Sequence, residues 1–255
     1  MDSQILNIEV NGSIATLTMN RPDKRNAMCE ELLGALDDFF SAPPKNVRVV
    51  ILTGTEGHYC SGLDLSEHVH RSAEENLHHS RHWHSVMDKI QLGGLAVVSA
   101  MFGAVIGGGL ELAAATHVRI AEPSTIFQLP EGRRGIFVGG GATARVGRLL
   151  GADRMTEMML TGRKYGADEG VSLGLAHYSV GEGEALALAQ KLAGKISRNA
   201  PLSNYLMIQA VARINEMSQN DGLFTESLAA ALSQTTPDAQ EGLSAFLEKR
   251  TPNFR

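Results

Sequence analysis

The chain has 255 residues, 43% of them hydrophobic, enough to bury the core of one large domain or of a domain with an appendage. Lys and Arg number 23 against 28 Asp and Glu, a formal charge of −5, and the basic residues are scattered, which argues against nucleic acid as a partner. Two cysteines, Cys29 and Cys60, cannot build a disulfide framework, the opening "MDSQILNIEVNG" lacks the pattern of a signal peptide, and no apolar run approaches the roughly 20 residues of a membrane span; the expectation is a reducing, cytoplasmic compartment and no membrane partner.

"ILNIEVNGSIATLTMNRP" alternates apolar and polar residues on either side of Asn11-Gly12, which predicts a hairpin. "EELLGALDDFFSA" repeats apolar residues at helical spacing, and "VRVVILTG" is a β-branched run ending in glycine, the form of a buried strand. The histidine-rich segment 66–91 reads as a helix from about residue 74. "LAVVSAMFG" is a second buried strand, running into Gly107 to Gly109 and a further helix. After "HVRIAE" and "TIFQLPE" comes a second glycine run, Gly139 to Gly141, and then the helices "ATARVGRLLG" and "DRMTEMMLTG". Beyond about residue 182 only helices are predicted, with Pro201 and Pro237 at first turns. The organisation is an α/β core over 1–181 followed by a helical region over 182–255.

The stretch "VIGGGLELAA" (105–114) places three glycines between a buried strand and a helix, with Glu111 close behind. A plain loop is one explanation. The other is a ligand: the first N–H groups of a helix have no intrahelical partner, and glycine lets an oxygen approach them. The pattern matches neither G-x-G-x-x-G nor a P-loop, and Glu111 would repel phosphate. An oxyanion hole beside an acid or base fits better.

"NRPDKRNAM" (20–28), "VVILTGTEGHYCSGLDLSE" (49–67), "GAVIGGGLELAAATHVRIAEPSTIFQLPEGRRGI" (103–136) and "GGGATARVGRLLGADRMTEMMLTGR" (139–163) together resemble the crotonase superfamily, the enoyl-CoA hydratases and isomerases. The resemblance runs in order from about residue 5 to the C-terminal "FLEKRTPNF". It implies an α/β fold with a crotonase-like ββα spiral core and a helical C-terminal oligomerisation region that assembles a homotrimer or a dimer of trimers. It also implies an acyl-CoA substrate whose thioester oxygen is held by the backbone N–H groups of Leu63 and Gly108. Glu111 and Glu131 match the two glutamates of family members that hydrate 2-enoyl-CoA: Glu111 would deprotonate the water and Glu131 protonate C2, with the division between them open. For CoA the resemblance points to Lys24, Arg25 and Ala27, to Ser61 and Asp64 of the "SGLD" loop, and to Lys249 from the tail or a neighbouring subunit. No cofactor beyond the substrate's own CoA is implied.

The chain departs from the family pattern at Phe102-Gly103, Thr116-His117 and "GIFVGGG", where Phe137-Val138 replaces the usual proline and reshapes the acyl surroundings. His68, His70, His78, His79, His82 and His84 are six of nine histidines, and the i, i+4 pair His78/His82 has metal-ligand spacing. Without completing cysteines or carboxylates a solvated or pocket-lining helix is the expectation, with His82 and Trp83 as acyl-pocket candidates. Two rivals stay open: another crotonase reaction, whether isomerisation, thioester hydrolysis or retro-aldol cleavage, and a non-catalytic acyl-CoA-binding protein.

Overall fold

A computed structural model of the chain describes residues 5–67 and 71–254. The strands β1 (Leu6–Asn11) and β2 (Ile14–Met19) form the hairpin expected at Asn11-Gly12, with Gly12 at φ 58° in the turn. Helix α1 (Glu30–Ser41) buries Leu32, Leu33, Leu36, Phe39 and Phe40 along one face. After β3 (Val49–Gly54), α2 (Ala73–Leu92) starts at a capping box: Glu75 N donates to Ser72 Oγ and Ser72 N to the Glu75 carboxylate. Then follow β4 (Ala96–Met101), β5 (Ala104–Ile106), α3 (Gly108–Ala114), β6 (Val118–Ala121), β7 (Ile126–Gln128), a 3-10 turn (Glu131–Arg134), α4 (Ala142–Leu150), α5 (Ala152–Thr161), α6 (Ala167–Ser172) and β8 (Tyr178–Ser179). The chain closes with α7 (Ala185–Ile196), α8 (Pro201–Ile214), α9 (Gln219–Gln234) and α10 (Pro237–Leu247), and Pro201 and Pro237 both stand in first helical turns.

The main sheet has the order β1-β2-β3-β4-β6-β8, parallel from β2 onward, and β5 pairs with β7 in a second, parallel sheet. A single bridge from Cys60 to Val105 adds the segment after β3 to that small sheet. The chain therefore repeats one circuit: main-sheet strand, small-sheet segment, helix. This runs β3, Cys60, α2; then β4, β5, α3; then β6, β7, α4. It is the ββα spiral expected from the sequence.

Side chains alternate across β3, so Val50 and Leu52 enter a core with α1 and α2 while Val49 and Ile51 enter a second core on the opposite face. That second core is closed by Ala185, Ala189 and Ala193 of α7, all fully buried. The expected division at residue 182 thus cuts through packed structure: the helical region does begin there, but α7 belongs to the α/β core because its alanine face lets the helix lie close on the sheet. The helices α8 to α10 extend beyond it and leave Phe224, Leu228, Leu243, Phe246 and Leu247 exposed. Among the described residues no helix is long and apolar enough to cross a membrane.

Candidate active site

The circuits place three loops at one edge of the small sheet. The loop Ser61 to Asp64 follows Cys60, α3 follows β5, and the turn beginning at Glu131 follows β7. Carboxyl ends of parallel strands are where ligands bind in α/β folds.

The glycine run answers to close approach. Gly107, at φ 54°, turns the chain out of β5, and its N–H donates to Gln128 O at 2.9 Å. A Cβ on Gly109 would stand 2.1 Å from the Cys60 carbonyl oxygen; one on Gly108 would stand 2.9 Å from the Trp83 ring and 3.3 Å from Leu63 N. The run thus lets α3 start against the 60–63 backbone, and brings Leu63 N and Gly108 N to the same cavity. Among the described residues neither N–H donates to another backbone group.

Glu111, in the first turn of α3, is 4% exposed and Glu131 is 7% exposed, and both line this cavity. Burial pushes the Glu111 carboxyl up to about 7, with the neighbouring Glu131 adding to the rise, against hydrogen bonds from Ala142 N and Gly140 N and the charge of Arg145. Those bonds both fall on Oε1, at 3.0 Å from Ala142 N and 2.8 Å from Gly140 N. Burial raises Glu131 as well, and its Oε2 is buried with no hydrogen-bond partner among the described residues. Two desolvated carboxyls on one cavity favour holding a single proton between them.

Trp83 walls the cavity from α2, its indole N–H donating to His79 Nε2 at 3.0 Å. Beyond it the cavity opens between Asn76 and Ser80 on one side and Ile136 and Phe137 on the other. Phe137 is 70% exposed and lines both parts. His82 is corrected: it lies exposed on α2 and lines neither part, because it is one residue, about 100° of helix, from Trp83. His79, four residues before Trp83, occupies the cavity face instead; the i, i+4 rule applied to Trp83 was the signal that locates it. His78 is exposed too, His84 is half-buried, and His68 and His70 lie outside the described residues. Among the described residues no group of three or more His, Cys, Asp or Glu converges.

The segments carrying the other expected residues are zipped together: Ser61 N donates to Arg25 O, Ser61 Oγ to Lys24 O, and Met28 N to Gly62 O. Arg25 and Asn26 adopt left-handed backbone, and the Asn26 side chain, fully buried, donates to Thr55 O and His58 O. Lys24 and Arg25 are exposed and make no ion pair among the described residues, whereas the buried Ala27 has its carbonyl held by Arg21. Asp64 is held through its side chain. Ser66 Oγ and the Arg21 guanidinium occupy its two oxygens at 2.6 and 2.9 Å and pull its carboxyl down to about 2, so its side chain is a clamp between loops and not a free ligand. Lys249 is exposed just past α10 and lines neither part of the cavity.

Comparison with known proteins adds the following. The family model described as enoyl-CoA hydratase/isomerase matches residues 9–255. The short-chain-enoyl-CoA hydratase of Clostridium acetobutylicum is 32% identical over 95% of this chain and 94% of its own length. The human enoyl-CoA hydratase domain-containing protein 2, mitochondrial, is 35% identical over 94% of this chain and 85% of its own. Among solved structures, a candidate enoyl-CoA hydratase from Rhodopseudomonas palustris superposes with TM-score 0.94 at 46% identity, covering 96% of this chain and 95% of that one.

Proposed function

The chain belongs to the enoyl-CoA hydratase/isomerase family, and from that premise we propose that it adds water across the double bond of a 2-enoyl-CoA to give a 3-hydroxyacyl-CoA. The observation that carries the reading is the pair of buried carboxyls, Glu111 and Glu131, on a cavity that also receives the N–H groups of Leu63 and Gly108. Isomerisation needs one such carboxyl; hydration uses both, one to take a proton from water and one to give a proton to C2.

In this mechanism the thioester oxygen accepts from Leu63 N and Gly108 N, donors that strengthen as the carbonyl becomes an enolate. Glu111 removes a proton from water as its oxygen bonds to C3, the π electrons move to the thioester oxygen, and Glu131 delivers its proton to C2. The pair ends with its one proton on Glu111, and exchange with solvent resets it. Hydrogen bonding favours this division of roles: two N–H groups support the anion of Glu111, while the unpartnered Oε2 of Glu131 favours its protonated form.

Lys24 and Arg25, exposed beside the Ser61 loop, are the cations for CoA phosphates, with Ala27 and Ser61 supplying the neighbouring backbone. Lys249 would reach CoA from another copy. The exposed apolar residues of α8 to α10 favour self-association, which by the family resemblance would give a homotrimer or a dimer of trimers, and light scattering tests it. No cofactor beyond the substrate's CoA takes part, and the buried free thiols Cys29 and Cys60 fit the reducing cytoplasm.

The test is turnover of short, long, branched and aryl 2-enoyl-CoAs, followed by loss of the conjugated thioester's absorbance, for wild type, Glu111→Gln and Glu131→Gln. Loss of absorbance by wild type, with both variants down by orders of magnitude, is the expected result. CoA thioesters bound but not hydrated would overturn it in favour of a sister reaction or a binding protein.

A further inference from the structure

Arg145 lies on α4, behind the cavity wall, and the hydration steps above do not use it. It is 8% exposed, and burying a guanidinium is costly unless its donors are all placed. Here each of its three nitrogens has a partner: Nε donates to Gln91 Oε1 at 2.7 Å, Nη2 to Asp88 Oδ1 at 2.5 Å and Nη1 to Gly140 O at 3.3 Å. Asp88 and Gln91 belong to α2, so the guanidinium is anchored from one helix while gripping the loop ahead of its own.

The gripped residue is the one that matters to the site. Gly140 gives its carbonyl to Arg145 and its N–H to Glu111 Oε1. The next residue, Gly141, has φ 105°, and a Cβ there would stand 2.1 Å from Arg145 Nη1, so the loop is shaped around the guanidinium. A buried apolar residue at 145 would fill the space but leave the Gly140 carbonyl unheld.

We propose that Arg145 is a positioning residue for Glu111: anchored by Asp88 and Gln91, it fixes the Gly140 peptide so that the Gly140 and Ala142 N–H groups hold Oε1 and aim the carboxylate at the reacting water. The inference rests on the hydratase reading for its kinetic consequence but not for its geometry. The charged groups facing Glu111 are Glu131 from the 3-10 turn and Arg145 from α4; around Arg145 stand Asp88 and His84 from α2 and Arg148 on its own helix. Arg145 lowers the Glu111 carboxyl and Glu131 raises it. Removing Arg145 therefore moves Glu111 further up, and the acid limb of kcat/KM with it.

The experiment compares wild type, Arg145→Gln, Glu111→Gln, the double variant and Asp88→Asn, each checked for folding by circular dichroism. Two readouts are taken: the pH profile of kcat and kcat/KM, and the Glu111 carboxyl titration by infrared difference spectroscopy, assigned by its loss in Glu111→Gln. Arg145→Gln is expected to lower kcat roughly 10- to 100-fold with KM changed less than about twofold. It should also raise the Glu111 titration by about half a pH unit or more. Asp88→Asn should loosen the guanidinium and lower kcat by less, without raising the Glu111 titration because it removes an anion, and it carries the kinetic test if Arg145→Gln does not fold. In the Glu111→Gln background, Arg145→Gln should change the residual rate by less than about twofold, the signature of action through one residue. An unmoved Glu111 titration, or an equal loss in both backgrounds, overturns the proposal. A wild type that hydrates nothing defeats the hydratase reading, while the infrared titration still decides the role of Arg145.

Discussion

Gly108 and Leu63 both act through backbone, yet they are expected to respond unequally to side-chain substitution. Gly108 sits at the first position of α3, where alanine is tolerated by the helix, but its Cβ would enter the space between Leu63 N and Trp83. Gly108→Ala should fold and lose about 3 to 4 kcal/mol of barrier lowering, the cost of one oxyanion donor, while Leu63→Ala keeps its N–H and should fall less than about tenfold; a steady-state assay at saturating enoyl-CoA separates them. The Glu111 carboxyl, pushed up to about 7, gives the sign of the pH dependence: a general base must be ionised, so kcat/KM should fall as pH drops below about 7. A limb near the ordinary carboxylate range would mean that Glu111 is not the base.

At the scale of elements, α2 and α7 hold the site from outside it. The polar start of α2 depends on the Ser72–Glu75 capping box, and Ser72→Ala should cost about 0.5 to 2 kcal/mol in chemical denaturation while leaving turnover near wild type, because Trp83 lies three turns further on. The helix α7 approaches the main sheet through Ala185, Ala189 and Ala193, each fully buried against it. Ala189→Leu should therefore destabilise by about 1 to 3 kcal/mol through overpacking. If α7 were an independent appendage, that substitution would be nearly silent.

At the scale of the whole molecule, three imidazoles among the described residues accept backbone N–H groups at strand ends: His58 from Ala104, His117 from Val97 and His177 from Arg119. Burial first, then the charge of Arg25 beside His58 and of Arg119 beside His117 and His177, holds all three below the ordinary histidine range, His177 down to about 4. A depressed folded-state value means that the unfolded chain takes up the proton first, so these groups contribute stability above about pH 6.5 that is lost as pH falls. The two raised carboxyls act in the opposite sense below neutrality. His117→Asn, whose amide oxygen can still accept from Val97, should narrow the drop in Tm between pH 7 and pH 5; an unchanged drop would remove His117 from this role.

The hairpin at Asn11-Gly12, the strands at 49–54 and 96–101, the prolines that start α8 and α10, and the glycine-flanked Glu111 were legible in the chain, because each rests on local chemistry: turn conformation, side-chain alternation, a missing N–H, a helix start. What local chemistry does not carry is which distant groups meet. That Asp64 is spent on Arg21 and Ser66, that His79 and not His82 faces the cavity beside Trp83, that α7 belongs to the core, and that the Gly140 peptide links Arg145 to Glu111 all depend on contacts across tens of residues. Spacing along the sequence identifies the residue types a reaction needs, but burial and hydrogen-bond partners, which set the charge and aim of those residues, exist only once the spiral has closed.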